Sequence, residues 1–140
     1  MKIGDWNTAG EVGAIMQVQL VELRAAELAA HVALGENGRL RILVATDIGL
    51  LDYRYHPAGA DPDGPWSLRG ELYRWASVRG LRLQTEGQVE RGEAHAARWI
   101  WRFVGEDPKI DLTAESTGSG ERSPEAVLPL ARACLEHAGH

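Results

Sequence analysis

The spacing of apolar side chains changes twice along this chain. Near its start Val12, Ile15, Met16, Leu20 and Leu23 keep the three-to-four spacing of a helix face, interrupted by Gln19, while Glu11, Gln17, Glu22 and Arg24 fall elsewhere. Ahead of them Thr8-Ala9-Gly10-Glu11 fits a capping box, in which the Thr8 hydroxyl accepts from the Glu11 amide and the Glu11 carboxylate returns to the Thr8 amide. The pattern predicts a helix over 8–26. Met16, Val18 and Leu20 also alternate with Gln17 and Gln19 as a strand would, but the cap and the length favour the helix.

Over 28–115 the period falls to two. Leu28 to Leu34 reads as a strand running into Gly35-Glu36-Asn37-Gly38, whose glycines and asparagine tolerate positive φ and suit a hairpin. Leu40, Ile42 and Val44 alternate with Arg39, Arg41 and Leu43; Thr46-Asp47-Ile48-Gly49 makes a turn; Leu51, Tyr53 and Tyr55 alternate with Asp52 and Arg54. His56 to Pro65 holds three prolines and reads as an exposed loop. Trp66 to Ala76 and Val78 to Thr85 are the next predicted strands, and Gly87 to Ala96 reads as a polar turn around Gly92. Ala97, Trp99, Trp101 and Phe103 alternate with Arg98, Ile100, Arg102 and Val104 in the clearest strand of all. After the turn Gly105-Glu106-Asp107-Pro108, Ile110, Leu112 and Ala114 mark the last strand.

Helical spacing then returns. Ser116 to Gly120 reads as a flexible link, and Ser123-Pro124 sets a capping side chain before a proline whose missing amide is harmless at the first helical position. Val127, Ala131, Cys134 and Ala138, with Leu128 and Leu135 beside them, predict a helix over 123–138 that Gly139 stops. Pro129 inside it is expected to kink the helix or delay its first turn.

Helix, about seven antiparallel strands, then helix is an α+β order and not the βα alternation of parallel nucleotide-binding sheets. A length of 140 residues fits a single domain, with 44% hydrophobic and 25% charged residues near the globular average. No window approaches the ~18 uninterrupted apolar residues of a transmembrane segment. Met1 to Trp6 lacks a basic-then-apolar signal, and Cys134 is the one cysteine, so the expected location is cytoplasmic. A net charge of −5 argues against nucleic acid as a partner, although 69–102 carries seven arginines against four glutamates.

The run from Arg39 through Thr46-Asp47 to Leu50-Leu51 resembles the second hairpin of bacterial pleckstrin-homology (PH)-like proteins. Leu72 to Leu83 resembles their middle strands, and Pro124 to His137 their C-terminal helix. The resemblance implies a bent antiparallel β-sandwich, or partly open barrel of about seven strands, capped by that helix. It also implies a scaffold for protein contacts without catalytic machinery. Members that bind phosphoinositides use a Lys/Arg-rich first hairpin; Ala33 to Arg41 offers only Arg39 and Arg41 beside Glu36, so inositide binding is not supported.

Candidate chemistry is sparse. Trp99, Trp101 and Trp75 are candidates for an aromatic groove, but filling the core is the better expectation for large aromatics in a small domain. Arg98 and Arg102, on the opposite face of the Trp99 strand, are candidates for docking an acidic partner, against the simpler reading of a solvated sheet face. His31, His56, His95, His137 and His140 are scattered without ligand spacing, and Cys134 lies on an apolar helix face, so no metal is expected. Asp61-Pro62-Asp63-Gly64 is a turn rather than a calcium loop, given its prolines and the missing later glutamate. Ser119 lies in the link, away from any strand-to-helix elbow, and neither a P-loop nor a dinucleotide fingerprint occurs. The expectation is a non-catalytic binding module that needs no cofactor, contacts another protein and self-associates. A small-ligand protein with an aromatic-lined pocket is the alternative. An enzyme assembled from dispersed residues, such as His95 with Asp52, ranks third.

Overall fold

A computed structural model describes residues 10–59, 64–90 and 93–140, without the side chains of 11, 80, 88–99 and 107. Helix α1 (Gly10–Glu22) precedes strands β1 (Glu27–Leu34), β2 (Leu40–Thr46), β3 (Gly49–His56) and β4 (Ser67–Arg74). Strands β5 (Arg79–Glu90), β6 (Glu93–Asp107) and β7 (Lys109–Glu115) follow, and helix α2 (Pro124–His137) closes the order. The fold is α+β, with two antiparallel meanders ordered β1-β2-β3-β4 and β5-β6-β7. Among the described residues no ladder joins β4 to β5, and the strands do not close into a barrel. No helix among these residues is long and apolar enough to cross a membrane.

Alternation along β2 and β3 serves two cores. Leu43, Ala45 and Leu50 point to a core shared with Phe103, Ile110 and Leu112 of the second sheet and Val127, Leu130 and Cys134 of α2. Ile42, Val44, Leu51 and Tyr53 point the other way, beneath Val12, Met16 and Leu20 of α1. Over Ile42–Ala45 and Leu50–Leu51 the four-stranded sheet is therefore covered on both faces, and there β2 and β3 are continuously apolar.

Turn chemistry fixes the registers. Asn37 (φ 56°) and Gly38 (φ 74°) take the left-handed conformation in the β1–β2 connection, and the Gly35 amide donates to the Arg39 carbonyl at 2.8 Å. At the next turn the Thr46 hydroxyl donates to the Gly49 carbonyl (2.7 Å) and accepts from the Gly49 amide (3.1 Å). Gly49 has no room for a side chain, since a Cβ there would stand 2.4 Å from the Tyr73 carbonyl oxygen.

Several boundaries differ from the sequence pattern. The α1 helix ends at Glu22 rather than 26, and its start at Thr8 lies outside the described residues. The predicted strand from Trp66 to Ala76 spans only Ser67–Arg74, because Trp75–Ser77 forms a short 3₁₀ turn leading into the second sheet. Gly92, around which the turn within Gly87 to Ala96 is expected, lies outside the described residues, but the strands run closer to it than the pattern suggests: Gln88 pairs with His95, Val89 with Ala94 and Glu90 with Glu93, lengthening the β5–β6 hairpin. A hairpin with little apolar surface to bury carries no alternation, so periodicity missed it. Asp61 to Asp63 lies outside the described residues. Ser116 to Gly120 folds as a turn, with the Gly118 amide donating to the Glu115 carbonyl at 2.9 Å. Pro129 sits within α2 without dividing it.

Candidate functional site

On one face of the four-stranded sheet, α1 and β4 border an open cleft. Apolar residues are spread around α1 rather than gathered on one face. Val12, Met16 and Leu20 are buried, whereas Val18, Val21 and Leu23 are 58%, 78% and 44% exposed. Gln19, Glu22 and Leu23 form one wall of a cleft of about 350 Å³ whose floor is Leu51, Tyr53, Gly70 and Leu72. The Tyr53 hydroxyl donates to Gln19 Oε1 at 2.7 Å, tying β3 to α1 under the cleft, and burial pushes its pKa up. Gly70 makes room for the Tyr53 ring, which a Cβ at this position would meet at 2.6 Å.

The other face of the same strands is polar. Register sets Arg54 directly opposite Arg69 and Asp52 directly opposite Glu71. These four residues and Tyr73 line a recess of about 100 Å³. Asp52 is held by Arg41, whose Nε and Nη2 donate to Oδ1 and Oδ2 at 3.1 and 2.9 Å while Nη2 also reaches the Lys109 carbonyl at 2.7 Å. The Tyr73 hydroxyl donates to Glu71 Oε2 at 2.6 Å.

The two margins of this sheet differ. At β1 the Leu34 amide donates to Glu121 Oε2 (2.8 Å), and His31 Nε2 donates to the Glu121 carbonyl (3.0 Å), so the turn Gly120–Arg122 covers that edge. The outer edge of β4 pairs with no strand among the described residues.

Comparison with protein-family models, curated proteins and solved structures gave no match. The reading of this surface therefore rests on its own residues.

The residues singled out from the sequence are not brought together. Trp75 is 4% exposed and belongs to the shared core; its indole N–H donates to the Thr46 carbonyl at 2.8 Å, and its ring lies 5.5 Å from that of His137. Trp101 packs half-buried against that core beside Phe103. Arg102 is exposed and meets Asp111 with two hydrogen bonds of 3.2 and 2.7 Å, which raise its own pKa and lower that of Asp111. The side chains of Arg98, Trp99 and His95 lie outside the description.

The buried titratable groups are isolated from one another. Burial pushes the Cys134 thiol up to about 12. His31 is buried with Nδ1 unpartnered among the described residues, and desolvation lowers its pKa despite the adjoining Glu121 carbonyl and carboxylate. Among the described residues no three of His, Cys, Asp and Glu stand close enough together to hold a metal. Sequence reasoning missed the α1–β4 margin. Its one early signal was Val18 and Val21, two apolar residues off the predicted helix stripe.

Proposed function

We propose that this chain is a non-catalytic protein-contact module on a PH-like frame that also associates with itself. The order of a four-stranded meander, a three-stranded meander and a C-terminal helix over their common core fits what the resemblance implies. A shared frame does not define a function, so the reading is carried by the surface. The observation that carries it is the pair of valines left in the open on α1, Val18 and Val21, each more than half exposed, on the helix whose Gln19, Glu22 and Leu23 wall the cleft. Val18 and Val21, three positions apart, are neighbours on the helix surface, and adjoining exposed apolar side chains suit a surface that meets another protein.

The test is site-specific photo-crosslinking in cells, with a photoreactive amino acid replacing Val18 or Val21 and, as control, Arg132 on the exposed side of α2. Discrete protein adducts from the two α1 positions and none from the control are expected. Equal labelling at all three positions, or none at Val18 and Val21, would overturn the reading.

A further inference from the structure

Leu68-Arg69-Gly70-Glu71-Leu72 on β4 has a symmetry that its own chain does not use. Reversed about Gly70, the segment places leucine against leucine and arginine against glutamate. We propose that β4 is a self-complementary edge at which two copies of this chain join, antiparallel and about a two-fold axis through Gly70, into one continuous sheet. The inference deepens the protein-contact reading and rests on it, naming a second copy as the partner.

Four observations converge on that partner. First, the margin is open: β4 is an eight-residue edge strand in unbroken register with β3, without proline, lysine or bulge, and its charges, Arg69, Glu71 and Arg74, are of both signs and so repel only a partner in the wrong register. The opposite margin, β1, is covered by Glu121. Second, the charges are mismatched at home. Arg69 faces Arg54 and Glu71 faces Asp52 across the β3–β4 ladder, and directly opposed like charges destabilise a sheet. In the proposed dimer Arg69 of each copy stands opposite Glu71 of the other, on one face.

Third, the register is selective. Moving the axis to Arg69 sets the two Arg69 side chains against each other, and moving it to Glu71 does the same for the glutamates. Fourth, the apolar faces agree. Half-buried Leu68 and Leu72 lie on the α1 side of the sheet, where each would meet its counterpart from the second copy. The two α1–β4 clefts would then open onto one another across the axis. Such an isologous contact is closed, so it ends at a dimer.

Charge exchange followed by native mass spectrometry and sedimentation over a concentration series tests the proposal. The unaltered chain is expected to form dimers, and Arg69→Glu and Glu71→Arg each to weaken them by roughly 100-fold, because two attractive pairs become repulsive. Arg69→Glu also replaces a like-charge pair with Arg54 by an attractive one; Glu71→Arg does the same with Asp52 but gives up the exposed Tyr73 hydrogen bond, so recovery of dimers in the double variant serves as the control for folding. Mixing the two single variants should yield a heterodimer, and the double variant should dimerise again. A chain that stays monomeric, or a dimer indifferent to these exchanges, overturns the β4 contact. In that event adducts at Val18 and Val21 would still support the protein-contact reading, whereas their absence beside a charge-dependent dimer would remove the α1 surface alone.

Discussion

The two helices cover opposite sides of the same four-stranded sheet, yet they are built differently. Helix α2 is amphipathic: Val127, Leu130, Ala131, Ala133 and Cys134 are buried, and Ser123 caps its start, with Oγ accepting from the Ala126 amide at 3.3 Å. Its far end is anchored by the Gly139 amide, which donates to the Trp75 carbonyl at 2.7 Å. Helix α1 buries one narrow row, Val12, Met16 and Leu20, and leaves other apolar side chains in the open. A helix that only seals a core needs one apolar stripe. The surplus on α1 is what separates a contact surface from a lid.

Truncating one apolar residue on each helix should separate the two most strongly. Leu130 is wholly buried and Val21 is 78% exposed. Leu130→Ala should cost about 2–5 kcal/mol of unfolding free energy, through lost burial and the cavity left behind. Val21→Ala should change it by about 0.5 kcal/mol or less. Urea unfolding of both variants checks this, and comparable losses would show that Val21 is covered within the folded chain.

A smaller effect belongs to the α2 cap. Removing the hydroxyl with Ser123→Ala leaves the Ala126 amide without its side-chain acceptor and should cost about 1 kcal/mol. Ser123→Asp should keep most of that stability, since aspartate caps as well and favours a helix start. Equal losses in the two variants would assign Ser123 some role other than capping.

What the sequence made legible follows from which surfaces are buried. Strands β2, β3 and β7 alternate because at least one of their faces meets a core, and Ser123-Pro124 announces α2 through local chemistry alone. The β5–β6 extension carried no such signal. On α1 the sequence grouped Ile15 and Leu23 with Val12, Met16 and Leu20, because spacing shows which residues share a face and not how wide a strip the sheet covers. On α2 it grouped Leu128 and Leu135 with the stripe, whereas Leu130 occupies the core. Trp75 fills the core, as is the better expectation for large aromatics in a small domain, and the 3₁₀ turn after β4 is what carries it inward. The reversed symmetry of Leu68 to Leu72 was always readable as letters, but it acquires meaning only once β4 is known to be an edge.

Protonation gives the next smaller effect, acting where β1 meets the turn before α2. His31 donates through Nε2 to the Glu121 carbonyl, so its buried Nδ1 carries the lone pair, and a proton added there would bring charge into the core. Its folded-state pKa lies below the ordinary 6.5, so the unfolded chain binds the proton more readily. The associated stability is therefore complete above pH 6.5 and is lost as the pH falls from there toward the depressed value. Urea midpoints measured between neutral and mildly acidic pH should fall more steeply for the unaltered chain than for His31→Gln. Parallel profiles would mean that His31 takes up its proton equally well when folded.

The smallest expected effect separates the helix ends. Helix α1 stops with Arg24 in the left-handed conformation (φ 54°), while the Ala25 amide donates to the Leu20 carbonyl at 2.9 Å; after α2 the corresponding freedom falls to a glycine, Gly139 (φ 79°). A side chain in that conformation costs about 1 kcal/mol, and a glycine there removes the cost but adds freedom to the unfolded chain. Arg24→Gly should therefore stabilise the protein by about 0.5 kcal/mol or less, and Arg24→Ala, which keeps the Cβ, should leave stability nearly unchanged. Because Arg24 is exposed, paired denaturation curves isolate the backbone contribution. If Arg24→Gly proved destabilising, the α1 terminus would be held by the arginine side chain itself, and the difference between the two helix ends would be one of contacts rather than of conformation.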